Sequence, residues 1–327
     1  MSKIRRIGVY TSGGDAPGMN AAIRSVVRTA IYNDIKVTGI FRGYEGMIEG
    51  DFTELVSRSV SSIIQQGGTI LKSARCPEFR TPEGRKKAYE NIRYAGIDAL
   101  VAIGGDGTFT GAELLSNEYD VPVMCIPGTI DNDLYGTDYT LGFDTANNTV
   151  IEAIDKIKDT AASHNRLFFV EVMGRDSGCI ALNAGVSGGA EAILLPEKET
   201  AIDELIAMLK TAKARNKTST IVIVAEGNKN GGVYNVAKRV KERFDFYDTK
   251  VSILGHLQRG GSPSSFDRVL ATRMGYFAVN ELIKGTPSAT VGVRGTQMVT
   301  TSLEEALRSK ELKLDEELIT IAEVMNV

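Results

Sequence analysis

The sequence predicts an α/β protein with doubly wound, mostly parallel sheets. Short β-branched apolar runs alternate with stretches of helical length, and glycines recur just after the apolar runs. The chain has 327 residues, enough for two ordinary domains that each bury a core.

The apolar runs are Ile7–Tyr10, Ala99–Ile103, Val121–Ile126, Leu167–Val172, Thr220–Val224, Val251–Leu254 and Thr290–Val293. Their near-continuous apolar character is that of strands covered on both faces. Between them the pattern predicts helices over Ala21–Tyr32, Glu83–Ala95, Ala146–Ala162, Ala201–Ala214, Val236–Phe244 and Asp267–Ile283. Gly13–Gly14, Gly104–Gly105, Gly107, Gly128, Gly174, Gly227 and Gly260–Gly261 follow predicted strands, where ligands of such sheets gather. No repeat, low-complexity tract or linker marks a boundary, which leaves room for domains that exchange chain segments.

Composition narrows the partners. Apolar residues are 43% and charged residues 24%, as in a globular protein, and the net charge of −3 argues against nucleic acid and anionic membranes. No run approaches the roughly 20 apolar residues of a membrane helix. The basic start Met1–Arg6 leads into an apolar stretch that stops at Thr11–Gly14, too short for a secretory signal. Cys76, Cys125 and Cys179 fit neither a disulfide framework nor a zinc site, so a reducing, cytoplasmic setting is expected. Cys125 lies in an apolar run and reads as core.

Five segments carry chemistry. The loop Thr11–Asn20, between a strand and a helix, frees backbone amides for an anion, although it reads equally well as a tight turn. It lacks the Gly-Lys-Ser/Thr of a Walker loop. In Gly104–Thr108, three glycines allow close approach to phosphates and Asp106 suits a Mg²⁺ ion bridging them. In Pro127–Asp133, Asp131 and Asp133 lie two apart, so in extended backbone both face one side. One then accepts a hydroxyl proton and the other positions metal. Taken alone, a polar turn is the better reading of this segment. Glu171–Gly178 places Arg175 at a strand end, suited to charge on a transferring phosphoryl group. Gly255–Ser262 offers a cation and donors for a sugar phosphate, with His256 one of only two histidines.

Together these residues resemble the bacterial ATP-dependent 6-phosphofructokinase family. The resemblance rests on Thr-Ser-Gly-Gly-Asp-Ala-Pro-Gly-Met-Asn at 11–20, Gly-Gly-Asp-Gly-Thr at 104–108 and Pro-Gly-Thr-Ile-Asp-Asn-Asp at 127–133. Val-Met-Gly-Arg at 172–175 and Gly-His-Leu-Gln-Arg-Gly-Gly-Ser at 255–262 complete it. It implies two doubly wound Rossmann-like domains: a larger ATP-binding one, 1–141 plus 254–304, and a smaller sugar-phosphate-binding one, 142–253 plus 305–327. The implied reaction is phosphorylation of fructose 6-phosphate at its 1-hydroxyl, the committed step of glycolysis.

The resemblance further implies that Gly14, Tyr44, Arg75, Cys76, Gly105, Asp106, Gly107 and Thr108 line the ATP site, with Asp106 and Asp133 serving Mg²⁺. Asp131 is the implied base, Thr129 contacts the reacting groups, and Arg175 steadies the phosphoryl group. Met173, Gly174, Glu226, His256 and Arg259 are implied to hold the sugar phosphate, completed by Arg166 and Lys250 of a neighbouring subunit in a homotetramer. Lys250 stands where an arginine is usual, which removes a bidentate fork, and Gly227–Thr249 is longer than usual. Pyrophosphate-using relatives carry Asp and Lys at the positions of Gly107 and Gly128, so ATP is the expected donor. An effector site between subunits, for a nucleoside diphosphate or phosphoenolpyruvate, is implied at Arg24, Arg28, Lys158, Gly189, Glu191, Arg215 and Lys217. There Ser57 replaces an arginine beside Arg58, and Thr218 and Ser219 replace basic groups. Arg24 and Arg28 are also an ordinary i, i+4 pair on a helix face. The competing expectations are a kinase using pyrophosphate or tagatose 6-phosphate, and a catalytically idle nucleotide sensor.

Overall fold

The computed structural model describes residues 4–162, 166–217, 219–308 and 314–325. In chain order the elements are β1 (Arg6–Thr11), α1 (Met19–Tyr32), β2 (Lys36–Ile40), α2 (Tyr44–Glu49), β3 (Phe52–Leu55), α3 (Pro82–Tyr94), β4 (Ala99–Gly104), α4 (Asp106–Tyr119) and β5 (Val123–Pro127). There follow α5 (Phe143–Ala162), β6 (Arg166–Val172), α6 (Cys179–Ser187), β7 (Ala192–Leu194), α7 (Ile202–Ala214), β8 (Thr220–Ala225), α8 (Val233–Arg243) and β9 (Asp248–Ile253). The last are α9 (Ser265–Lys284), β10 (Ala289–Arg294), β11 (Gln297–Ser302), α10 (Leu303–Arg308) and α11 (Glu316–Met325).

The chain divides into two compact units. The first comprises Met1–Thr129, Leu134–Thr145 and Arg259–Glu311; the second comprises Ile130–Asp133, Ala146–Gln258 and Leu312–Val327. The resemblance implied crossings near 141, 253 and 304, and did not anticipate the brief passage of Ile130–Asp133 into the second unit.

The first unit holds a seven-stranded sheet in the order β11-β10-β5-β4-β1-β2-β3. Its inner pairs are parallel, and β3 and β11 close the edges in antiparallel fashion. Every residue of β4 and β5 is buried, which is why both read as unbroken apolar runs. Gly8 allows β1 and β4 to meet closely, since a Cβ there would stand 2.7 Å from Leu100 Cδ2. The second unit holds a four-stranded, wholly parallel sheet, β7-β8-β6-β9. Its core packs Phe169, Val222 and Val224 against Leu205 and Leu209 of α7. Each such side chain contributes about 1.5–3 kcal/mol of burial.

Some helix starts carry a local reason. Thr81 Oγ1 accepts the Gly84 N–H ahead of α3, with Pro82 at the first helical position. Ser264 caps α9, and Gly285 ends it at φ 78. The start of α5 is held from a distance: the carboxylate of Asp267 accepts the amides of Gly142 and Thr145, each at 2.9 Å, and the Thr145 hydroxyl. Among the described residues no helix is long and apolar enough to cross a membrane.

The structure departs from the expectation in several ways, among them the short added helices α2, α6 and α10. It adds β2, β3, β7 and β11, which are short or lie at or next to a sheet edge. It makes Asp106–Tyr119 a helix, although its glycines depress helix propensity. It starts β9 at Asp248 rather than Val251.

Asp267→Ala strips a buried acceptor from two amides and a hydroxyl. It should cost about 2–4 kcal/mol, read as a lower urea midpoint against wild type.

Candidate active site

The glycine loops expected to hold nucleotide phosphates lie in the first unit, at the carboxyl ends of three neighbouring parallel strands, β1, β4 and β5. Their loops are bonded to one another. Ser12 N–H donates to Ile103 O at 3.1 Å, Thr108 Oγ1 donates to Ser12 O at 3.1 Å, and Gly128 N–H donates to Gly104 O at 2.9 Å. Gly13 takes φ 82, and a Cβ at Gly104 would lie 2.4 Å from both Ser12 O and Thr108 Oγ1. Thus only glycine fits at 104.

Helix α4 begins here at Asp106 with no side chain capping it. Its first amides and the positive end of its dipole face the loops, an arrangement suited to phosphate oxygens. Asp106 and Gly107 are exposed, and a Cβ at Gly107 would meet nothing within 4 Å. Gly128 is different, since a Cβ there would crowd Met19 Cε at 3.0 Å and Ile103 Cγ2 at 3.2 Å. The exposed Gly14 carries the Arg259 guanidinium, which also donates to Asp15 O at 3.2 Å. Tyr44 lies beneath the loops. Its hydroxyl donates to Thr108 O and accepts from Tyr10, its ring stacks on Phe79 at 4.0 Å, and burial pushes its pKa well up. Arg75 is exposed on the segment between β3 and α3, and Cys76 packs on the core with a pKa raised by burial.

Beyond β5 the chain passes into the second unit. Leu141 N–H donates to Pro127 O at 2.8 Å and Thr140 Oγ1 donates to Thr129 O at 2.6 Å, which fix the segment on its unit-one side. Asp131 is 2% exposed and its Oδ2 lies 3.6 Å from Arg175 Nε. Asp133 is half-buried. Strand alternation does not put these two carboxylates on one side, because Asn132 sits at φ 50 and the backbone between them is left-handed rather than extended. Arg175 is also left-handed, at φ 52, a conformation costing an arginine about 1–2 kcal/mol.

Of the residues expected at the sugar phosphate, all but Arg259 belong to the second unit. Gly174 and Arg175 donate their amides to Glu226 Oε1, and Met173 donates to Gln258 Oε1. His256 is exposed in a short 3₁₀ turn, Gly255–Arg259. Arg166 and Lys250 stand on paired strands with Asp248 between them, at 3.5 Å from Arg166 Nε and 2.9 Å from Lys250 Nζ. Lys250 chiefly, then Arg166, holds the Asp248 pKa below the usual carboxylate range.

The expected effector residues fall into two groups. Lys217 Nζ bonds buried Glu191 at 2.7 Å, a Cβ at Gly189 would lie 3.4 Å from Lys158 Nζ, and Arg215 caps α7. In the first unit Arg24 and Arg28 line a cavity of about 300 Å³ with Ser25, Thr29, Thr272, Arg273 and Tyr276. Burial, then Arg28, depresses the Arg24 pKa. Thr218 lies outside the described residues. Sequence reasoning missed Gln258, Arg273 and Tyr276. Gln258 stood inside a quoted motif without a role, and the other two are reached only once α9 is known to pack on α1.

The phosphofructokinase family profile matches residues 6–282, and the chain belongs to that family. The chain is 53% identical over 316 residues to an ATP-dependent 6-phosphofructokinase 2 of Bacteroides thetaiotaomicron, covering 96% of this chain and 97% of that one. It is 54% identical over 307 residues to an ATP-dependent 6-phosphofructokinase of Bacillus velezensis, covering 94% and 95%. The solved phosphofructokinase of Saccharomyces cerevisiae superposes with a TM-score of 0.89 at 36% identity; the match spans 98% of this chain and 47% of the yeast chain. A pyrophosphate-dependent phosphofructokinase from Marinobacter aquaeolei, at 21% identity and a TM-score of 0.84, shares the fold.

Two glycines should separate folding from ligand chemistry. Gly104→Ala should cost about 1–3 kcal/mol through overpacking, whereas Gly107→Asp should stay within about 0.5 kcal/mol of wild type. Urea denaturation of the two variants reads the contrast.

Proposed function

We propose that this chain transfers the terminal phosphoryl group of ATP to the 1-hydroxyl of fructose 6-phosphate, yielding fructose 1,6-bisphosphate and ADP. The observation that carries the proposal is the buried Asp131 carboxylate beside the Arg175 guanidinium, on a segment continuous with the glycine loops. The names of the full-length relatives agree with it.

In this reading the loops at Gly13–Gly14 and Gly104–Thr108 and the first turn of α4 hold the nucleotide phosphates. Asp131 takes the proton from the 1-hydroxyl as its oxygen bonds to the terminal phosphorus, and the bond from phosphorus to the bridging oxygen breaks with its electrons leaving on ADP. Arg175 offsets negative charge on the transferring group, and Thr129 orients it. Glu226, Met173, Gly174, His256 and Arg259 hold the sugar phosphate. Arg166 and Lys250 complete that site in a neighbouring copy, which calls for a homotetramer.

Among the described residues no group of three His, Cys, Asp or Glu side chains is arranged to hold a metal. Mg²⁺ binds through one or two carboxylates plus substrate phosphates and water. Asp106 and Asp133 would hold it, and it would neutralise charge on the phosphates. ATP is favoured over pyrophosphate by the open space at Gly107 and by Met19 and Ile103, which crowd the place a lysine at 128 would need. An effector site between neighbouring copies of the chain, drawing on Arg24, Arg28 and the Glu191–Lys217 pair, completes the reading.

A coupled assay with fructose 6-phosphate tests it. ATP should support turnover and pyrophosphate should not, and Asp131→Asn should lower kcat by about 10²–10⁴-fold. Comparable ATP-dependent rates in the two proteins would remove Asp131 as the base. ADP or phosphoenolpyruvate should shift the sugar-phosphate saturation curve; curves unmoved by both would refute the effector site.

A further inference from the structure

The Arg175 side chain is 66% exposed, so packing does little to aim it. Its direction is set by the backbone, where Gly174 stands at φ 143 and Arg175 at φ 52. Such dihedrals persist when the surroundings impose them. Here three successive amides are taken up by two side chains of the same unit. Met173 N–H donates to Gln258 Oε1 at 3.0 Å, while Gly174 N–H and Arg175 N–H donate to Glu226 Oε1 at 3.1 and 2.7 Å.

The carbonyl side of the turn is also closed. A Cβ at Gly227 would lie 2.0 Å from Arg175 O, and Ser177 N–H donates to Gly174 O at 2.9 Å. Adjacent amides converging on one oxygen form a concavity that takes an anion, and the protein's own carboxylate fills it. Gln258 is fully buried, at 0% exposure, and so acts on the turn rather than on a ligand in solvent.

We propose that Gln258 and Glu226 are positioning residues, which hold the Met173–Arg175 turn in its left-handed form and thereby aim the Arg175 guanidinium at the Asp131 carboxylate. The inference rests on the phosphoryl-transfer reading above. Glu226 divides its carboxylate, with Oε1 on the turn and Oε2 left for the sugar hydroxyls. Gln258 is therefore the cleaner probe.

Gln258→Leu removes the acceptor at similar volume. It should lower kcat with ATP and fructose 6-phosphate about 10- to 100-fold, with the KM for the sugar phosphate within about threefold. In an Arg175→Ala background the same change should cost no further kcat, because its effect runs through the arginine. Should Gln258→Leu fail to fold, Glu226 supplies the comparison through amide exchange rather than turnover: Glu226→Gln keeps an acceptor oxygen and should leave the Gly174 and Arg175 amides protected, while Glu226→Ala should not. Equal losses in both Arg175 backgrounds, or an unchanged kcat in Gln258→Leu or Glu226→Ala, would overturn the proposal.

Amide hydrogen exchange at Gly174 and Arg175 reads the brace without turnover. It should quicken about tenfold or more in Gln258→Leu or Glu226→Ala, and unchanged exchange would overturn the brace whatever the activity. Wild-type protein that turns over no fructose 6-phosphate, with exchange still quickened in the variants, would refute the transfer reading and leave the brace standing.

Discussion

The carbonyl of Gly104 accepts the amide of Gly128, and a Cβ on Gly104 would collide with the Ser12 carbonyl and the Thr108 hydroxyl. Three loops from three adjacent strands are thereby drawn to one place. A larger residue at 104 would push the first loop away from the second, and the uncapped start of α4 would lose the partner that shapes the space before it. The buried Tyr44 hydroxyl, bonded to Thr108 O, supports the same contact from below. This end of the first unit is thus organised by close backbone approach. Only small residues permit such approach, and glycine permits it best.

This explains what could be read in the chain beforehand. Runs such as Ala99–Ile103 are apolar because both faces of their sheet are covered, so the strands that carry the loops announce themselves. Glycines directly after them mark where backbone must come close. The edge strands β3 and β11 have mixed burial and fewer pairing partners, and β7 has only three residues, so their patterns are faint. The left-handed Asn132 was equally hidden. Asparagine is common in turns, and nothing local distinguishes a turn from an extended segment ending in acids. Roles such as that of Gln258 depend on residue 258 meeting residue 173, a separation no local pattern encodes.

The second unit handles charge by a different principle. Asp131 is buried and Arg175 is exposed, so the pair joins a carboxylate whose position is fixed by the fold to a cation whose position is not. Fixing the cation falls to backbone dihedrals and the acceptors that hold them. Packing supplies one half of the pair and hydrogen bonding the other.

Asp248, between Arg166 and Lys250, gives the second unit a resident counter-ion. Two like-charged side chains on neighbouring strands would otherwise repel across the sheet, and the carboxylate lets them stand together with no ligand present. Under the proposed function, a phosphate arriving there meets cations already partly neutralised. Its binding is then an exchange of one anion for another, and the strength of that exchange depends on how far Asp248 can withdraw. The acidic residue between the two cations is therefore a built-in competitor, which sets a ceiling on how tightly any phosphate can be held.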